Sequence, residues 1–174
     1  MQKALEIVTR YVVMVAIAVM ALAFPIFYTI FRPLTMWPTA WVLGLFYNAS
    51  ISGASILIDG QAVEIIDACV AGSAYLLLLL LNLLTRDIIF KKRVMLFLLD
   101  SAALLVLNVL RLAILIPMDL GGSALFDITH KLFWYALSTA FVVLIWILSC
   151  VMFRIRAIPF ISDVKFLIET KKPK

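Results

Sequence analysis

Cys69, Arg111 and His130 are the residues of this chain whose types and positions are hardest to explain by packing alone. A thiol can act as a nucleophile, and the single histidine can move a proton near neutral pH. A guanidinium supplies a fixed positive charge for an oxyanion. These are the groups a cysteine acyl-transfer site needs. Each falls at or near the end of a different apolar run, and all three map to one side of a membrane, so they can meet.

The elements that must position them follow from composition. The 174 residues are 66% hydrophobic and 14% charged, with a mean hydropathy of +1.15, far from ordinary globular usage. The chain reads as an all-α integral membrane protein and a single domain. Two cysteines are too few for a disulfide framework and lack the paired spacing of a zinc site. No metal and no cofactor is expected. The net charge of +5 comes from basic residues clustered between apolar runs, where they orient a membrane protein rather than bind nucleic acid.

Four runs are long enough to cross a bilayer, which takes about 20 helical residues. They cover about residues 11–31, 68–85, 94–117 and 130–153, and predict a four-helix transmembrane bundle. The first resembles a signal peptide, with Ala21-Leu22-Ala23 as a cleavage-like site. Its apolar character continues through Ile30, which favours a retained helix. Lys3, Arg10, Arg86, Lys91, Lys92, Arg93, Arg154, Arg156, Lys165, Lys171, Lys172 and Lys174 belong to one side. Arg32 and Lys131 face Asp59, Glu64, Asp67, Asp119 and Asp127 on the other. The positive-inside rule then makes both termini cytoplasmic.

The outer segment, about residues 33–66, has two parts. Trp37, Trp41 and Tyr47, interrupted by Pro33 and Pro38, read as a stretch lying at the headgroup level. Ile56-Leu57-Ile58, Asp59-Gly60 and Val63-Glu64-Ile65-Ile66 read as a hairpin, because Asp-Gly suits the positive φ angles of a type I′ turn. Such a hairpin has an edge to which an extended peptide could add, and a two-stranded cap without a ligand is equally compatible.

Cys69 follows directly. With Asp67 as cap, the thiol lies in the first turn of the second helix, where free N–H groups and the helix dipole favour a thiolate. Ser73, one turn on, shares its face, and Gly72 permits close backbone approach; on their own both read as packing residues. Cys150, beside Ser149, fits a buried small hydrophobe. Arg111 lies about 9 Å inside the outer end of the third run, counted to Pro117, at a depth where an arginine reads as functional. Asp100 is eleven positions away, about 16 Å along the axis, and is better explained by a partner on a neighbouring helix. Asn108 is one turn from Arg111 and within reach of its surroundings. His130 opens the fourth run. Asp127 either orients its ring or serves as a helix-terminal charge, the second being the simpler reading.

Cys69-Val-Ala-Gly72-Ser73, Asn108-Val-Leu-Arg111 and His130 together resemble the motifs of the exosortase and archaeosortase membrane transpeptidases, over roughly residues 60–150. The chain is smaller than many members, which have more membrane helices. The resemblance implies a multi-pass enzyme of the cell membrane that acts as a thiol protease on its extracytoplasmic side. Its partner would be a secreted or surface protein carrying a C-terminal sorting signal with a transmembrane helix and basic tail. Cleavage would transfer the new carboxyl end to a lipid, a lipid-linked acceptor or water. Cys69, Arg111 and His130 would be catalytic, with Ser73, Asn108, Gly72 and Asp127 supporting them or contacting substrate. A different class, a small channel, transporter subunit or assembly factor using Arg111 and Asp100 along a path, predicts polar residues at mid-depth on several helices. The middle of the second run is Leu76 to Leu81, which speaks against it.

Overall fold

The computed structural model describes residues 2–23, 25–85 and 88–155. Arg86, Arg156, Lys165, Lys171, Lys172 and Lys174, which enter the orientation argument, lie outside the described residues. The elements run α1 (Gln2–Ala23), α2 (Ile26–Leu43), β1 (Ala49–Ser52), β2 (Ser55–Ile58), β3 (Gln61–Glu64), α3 (Asp67–Val70), α4 (Gly72–Leu84), α5 (Phe90–Leu120) and α6 (Phe126–Lys131). A π-helical stretch, Leu132–Leu137, then leads into α7 (Ser138–Met152). The chain is mostly helical, but the small sheet means that it is not all-α.

Among the described residues, α5 is the one helix long and apolar enough to cross a membrane by itself. Phe126–Trp134 and Thr139–Met152 together form a second such run, bent by 46°. α4 has 13 residues and would extend about 20 Å, short of a hydrocarbon core about 30 Å thick. The run expected over 11–31 is divided at Pro25, which precedes α2 and has no N–H to continue a helical ladder. Four full-length spans are therefore not what the structure displays.

Two further boundaries differ from expectation for clear physical reasons. α2 continues through Pro33 and Pro38, which were expected to break the interfacial stretch. Its buried face of Thr35, Met36, Thr39, Ala40 and Leu43 packs on α5 and the sheet, and this burial offsets the two missing ladder bonds. Trp37 and Trp41 point away from that face and are 69% and 70% exposed. α5 runs on through Pro117 to Leu120, so Arg111 lies nine residues, about 13.5 Å, from the helix end rather than about 9 Å.

The expected hairpin is part of a three-stranded antiparallel meander in the order β1-β2-β3. Asp59 and Gly60 both have positive φ, 49° and 85°, as a type I′ turn requires. A second tight turn at Gly53, φ 60°, adds β1. Ile56 and Ile58 project from one face of β2 and are buried with Ile65 against Met36, Leu43, Leu112 and Ile116. The sheet is thereby fastened to α2 and α5, and it delivers the chain into α3. A second core, Tyr75, Leu78, Leu104, Val142 and Ile145, joins α4, α5 and α7.

Candidate active site

α3 is a single turn, and its ends explain where Cys69 is held. Ile66 enters in extended conformation, ψ 169°, and the turn is closed by Ala71 in the left-handed region, φ 58°, ψ 34°. α4 starts anew at Gly72. Asp67 is not the cap: no side-chain cap bond is made at this terminus, and the Asp67 carboxylate instead accepts from Arg32 Nη2 at 2.5 Å, tying α3 to α2. The Cys69 N–H donates to the Ile66 carbonyl at 2.9 Å. One turn of helix has little macrodipole, so the activation expected from a long helix terminus is not available. Cys69 is half-buried with a free thiol.

The polar face of α5 holds this turn from the other side. Asn108 Nδ2 donates to the Cys69 carbonyl at 2.8 Å, and Arg111 Nη2 donates to the Ala68 carbonyl at 3.1 Å. Both side chains belong to buried residues, and the spacing of one turn sets them against consecutive peptide units. Arg111 is only 9% exposed, and its Nε has no hydrogen-bond partner. Among the described residues it has no ion pair with a carboxylate. Asp100 is engaged elsewhere, accepting a hydrogen bond from Ser149 Oγ on α7.

Cys69, Arg111 and His130 line one cavity of about 470 Å³, with Glu64, Asp119 and Trp134 on the same walls. His130 does not open its helix. α6 begins four residues earlier, at Phe126, and the imidazole stacks on the Phe126 ring with centroids 5.4 Å apart. Trp134 meets it edge-on at 6.4 Å. His130 is exposed, as is Asp127, and among the described residues no hydrogen bond or ion pair joins the two. The ring is thus oriented by aromatic neighbours.

The remaining expected residues are distributed differently. The break at Ala71 takes Ser73 off the face of Cys69 and into an adjoining cavity of about 530 Å³, whose walls also include Arg111, Ala68 and Trp134. Arg111 therefore stands between two cavities. Gly72 gives close approach to the Tyr28 ring, not to a backbone: a Cβ here would lie 2.6 Å from the nearest ring atom. Tyr28 had no sequence signal, because only the break in the helix turns Gly72 toward it. Glu64 and Asp119 were visible only as charges of the outer side. Among the described residues no group of three or more histidine, cysteine or acidic side chains is placed to hold a metal ion.

The constellation offers a thiol, an exposed imidazole and a buried guanidinium with unused donor capacity around one space, which are the elements of nucleophilic acyl transfer. Comparison with family models, curated proteins and solved structures finds no match to this chain.

Proposed function

We propose that the protein is a membrane-embedded cysteine transpeptidase of exosortase or archaeosortase type. It would span the membrane as a bundle of four segments, with cytoplasmic termini and the Cys69 cavity on the outer face. The observation that carries this reading is the shared cavity: Cys69 of α3, Arg111 of α5 and His130 of α6 all line it. The loop charges support the orientation, since Glu64, Asp119 and Lys131 of the outer set line this cavity and Asp67 lines the adjoining one.

In the reaction, Cys69 Sγ attacks the scissile carbonyl of a secreted or surface protein whose C-terminal helix lies beside the bundle. His130 accepts the thiol proton and passes it to the leaving amine as the C–N bond breaks. Arg111 faces the oxyanion of the tetrahedral intermediate. Its one hydrogen bond runs from Nη2 to the Ala68 carbonyl, which leaves the Nη1 donors for that role. The resulting thioester is attacked by the amine or hydroxyl of a lipid or lipid-linked acceptor, or by water. His130 takes that nucleophile's proton and returns it to the departing Cys69 sulfur.

Co-expression with a secreted protein bearing a C-terminal helix and basic tail tests the proposal. The wild type is expected to shorten the partner and to accumulate a hydroxylamine-sensitive adduct on Cys69. Processing at the wild-type rate by Cys69→Ser would exclude the mechanism.

A further inference from the structure

β3 is the open edge of the meander, and its register decides which backbone groups are free. A two-residue turn closes on a hydrogen-bonded pair, here Ile58 with Gln61. Bonded pairs then alternate along an antiparallel ladder, giving Ile56 with Val63 and Ala54 with Ile65. The last is seen directly, the Ile65 N–H donating to the Ala54 carbonyl at 2.9 Å. The N–H and C=O of Ala62 and Glu64 therefore point away from β2. Both residues are exposed. The opposite edge is different, because β1 packs on α2.

The open edge leads into the site. Val63, Glu64 and Ile66 form part of the wall of the cavity that holds Cys69 and Arg111, and the chain passes from Glu64 to Cys69 in five residues. Unpaired strand edges usually carry lysine, proline or a covering element to prevent pairing. β3, four residues long with a single charge, has neither lysine nor proline in its sequence Gln61-Ala62-Val63-Glu64. Its one charge is the exposed Glu64 carboxylate on the cavity rim.

We infer that β3 is the docking strand for the substrate: an extended peptide segment pairs with the outward backbone groups of Ala62 and Glu64, with a basic side chain set against Glu64. The inference rests on the acyl-transfer reading of the same cavity and adds how the scissile segment is held. Main-chain pairing supplies affinity with little regard to sequence, and the Glu64 contact supplies selectivity. An extended backbone also exposes its carbonyls, which a helical substrate segment would keep in its own ladder.

The test measures binding without turnover. Full-length ¹⁵N-labelled Cys69→Ala protein in zwitterionic nanodiscs is titrated with a blocked eight-residue peptide of alternating valine and lysine, and with its glutamate-for-lysine counterpart. The lysine peptide is expected to slow amide exchange at Ala62 and Glu64 by about tenfold or more and to leave Val63, already paired with Ile56, unchanged. Glu64→Gln should weaken binding by about threefold while retaining the protection. Ala62→Pro, which deletes an outward N–H, should abolish it. Absence of protection at both amides with millimolar peptide, protection at β1 instead, or equal protection by the glutamate peptide would overturn the inference. Because no cleavage is read, the absence of a thioester at Cys69 would count against the catalytic reading alone.

Discussion

The side-chain amide of Asn108 donates to the carbonyl oxygen of Cys69 at 2.8 Å, so a residue in the middle of α5 fixes the peptide unit of the residue that bears the thiol. One turn later Arg111 does the same for Ala68. The thiol and the guanidinium are therefore positioned by one set of backbone contacts rather than by two independent elements.

Asn108→Ala should accordingly act through Cys69. Loss of one hydrogen bond to a carbonyl is worth about 1 kcal/mol, and a looser Cys69 should lower the rate of partner processing by about tenfold. The peptide-binding constant measured in the nanodisc titration should be unchanged. Single-turnover processing and binding, measured side by side, separate this from general unfolding, which would lower both.

How far this arrangement could be read from the sequence depends on the element. The long apolar stretch of α5 and the Asp-Gly turn were legible because each has a local cause, apolar length in one and positive φ in the other. The i, i+3 spacing of Asn108 and Arg111 also pointed correctly to one helix face. Their partners were not legible, because they are backbone carbonyls whose position depends on the break at Ala71, and nothing about an alanine marks a left-handed residue. β1 was missed because Ala49-Ser50-Ile51-Ser52 is short and polar, and gains its place only by pairing with β2. Pro33 and Pro38 read as interruptions of the interfacial stretch, yet tertiary burial carries α2 through both.

Arg111→Lys and Arg111→Met should separate chemistry from stability. Lysine keeps the charge but not the planar fork, so processing should fall on the order of 100-fold. Methionine should abolish processing and change the thermal unfolding temperature little, because removing a buried charge with no carboxylate partner among the described residues offsets the lost hydrogen bond to the Ala68 carbonyl. Near-wild-type turnover by Arg111→Lys would remove Arg111 from the reacting atoms.

Ala71 sets the break that places Cys69, and its φ of 58° is costly for any residue with a side chain. Ala71→Gly should therefore raise stability by about 0.5–1 kcal/mol. Ala71→Val, β-branched at the same φ, should lower it by about 1–2 kcal/mol. Denaturant unfolding in detergent checks both, and equal effects in the same direction would contradict the left-handed turn.

Gly72→Ala should destabilise by about 1–3 kcal/mol, because the new methyl meets three Tyr28 ring atoms within 2.6–2.8 Å. Tyr28→Ala in the same chain should recover most of that loss, since it empties the space the methyl needs. A double-mutant cycle of unfolding free energies measures the coupling, and additive effects would show that the two residues do not touch.

Asp100 and Ser149 form the complementary case, a polar pair that should matter for folding and not for chemistry. Asp100 is 1% exposed and Ser149 5%, and the serine hydroxyl is the hydrogen-bond donor to the carboxylate. Ser149→Ala leaves the acceptor buried without that donor and should cost about 1–3 kcal/mol. Replacing both, Asp100→Leu with Ser149→Ala, should be milder than the single serine change because no polar group is then stranded. Asp100 lies eleven residues from Arg111 along α5, about 16 Å, so processing per folded molecule should be unchanged in every one of these variants. Unfolding midpoints and processing rates, normalised to folded protein, decide the matter. A selective loss of rate in Asp100→Asn, with the midpoint preserved, would bring Asp100 into the reaction path.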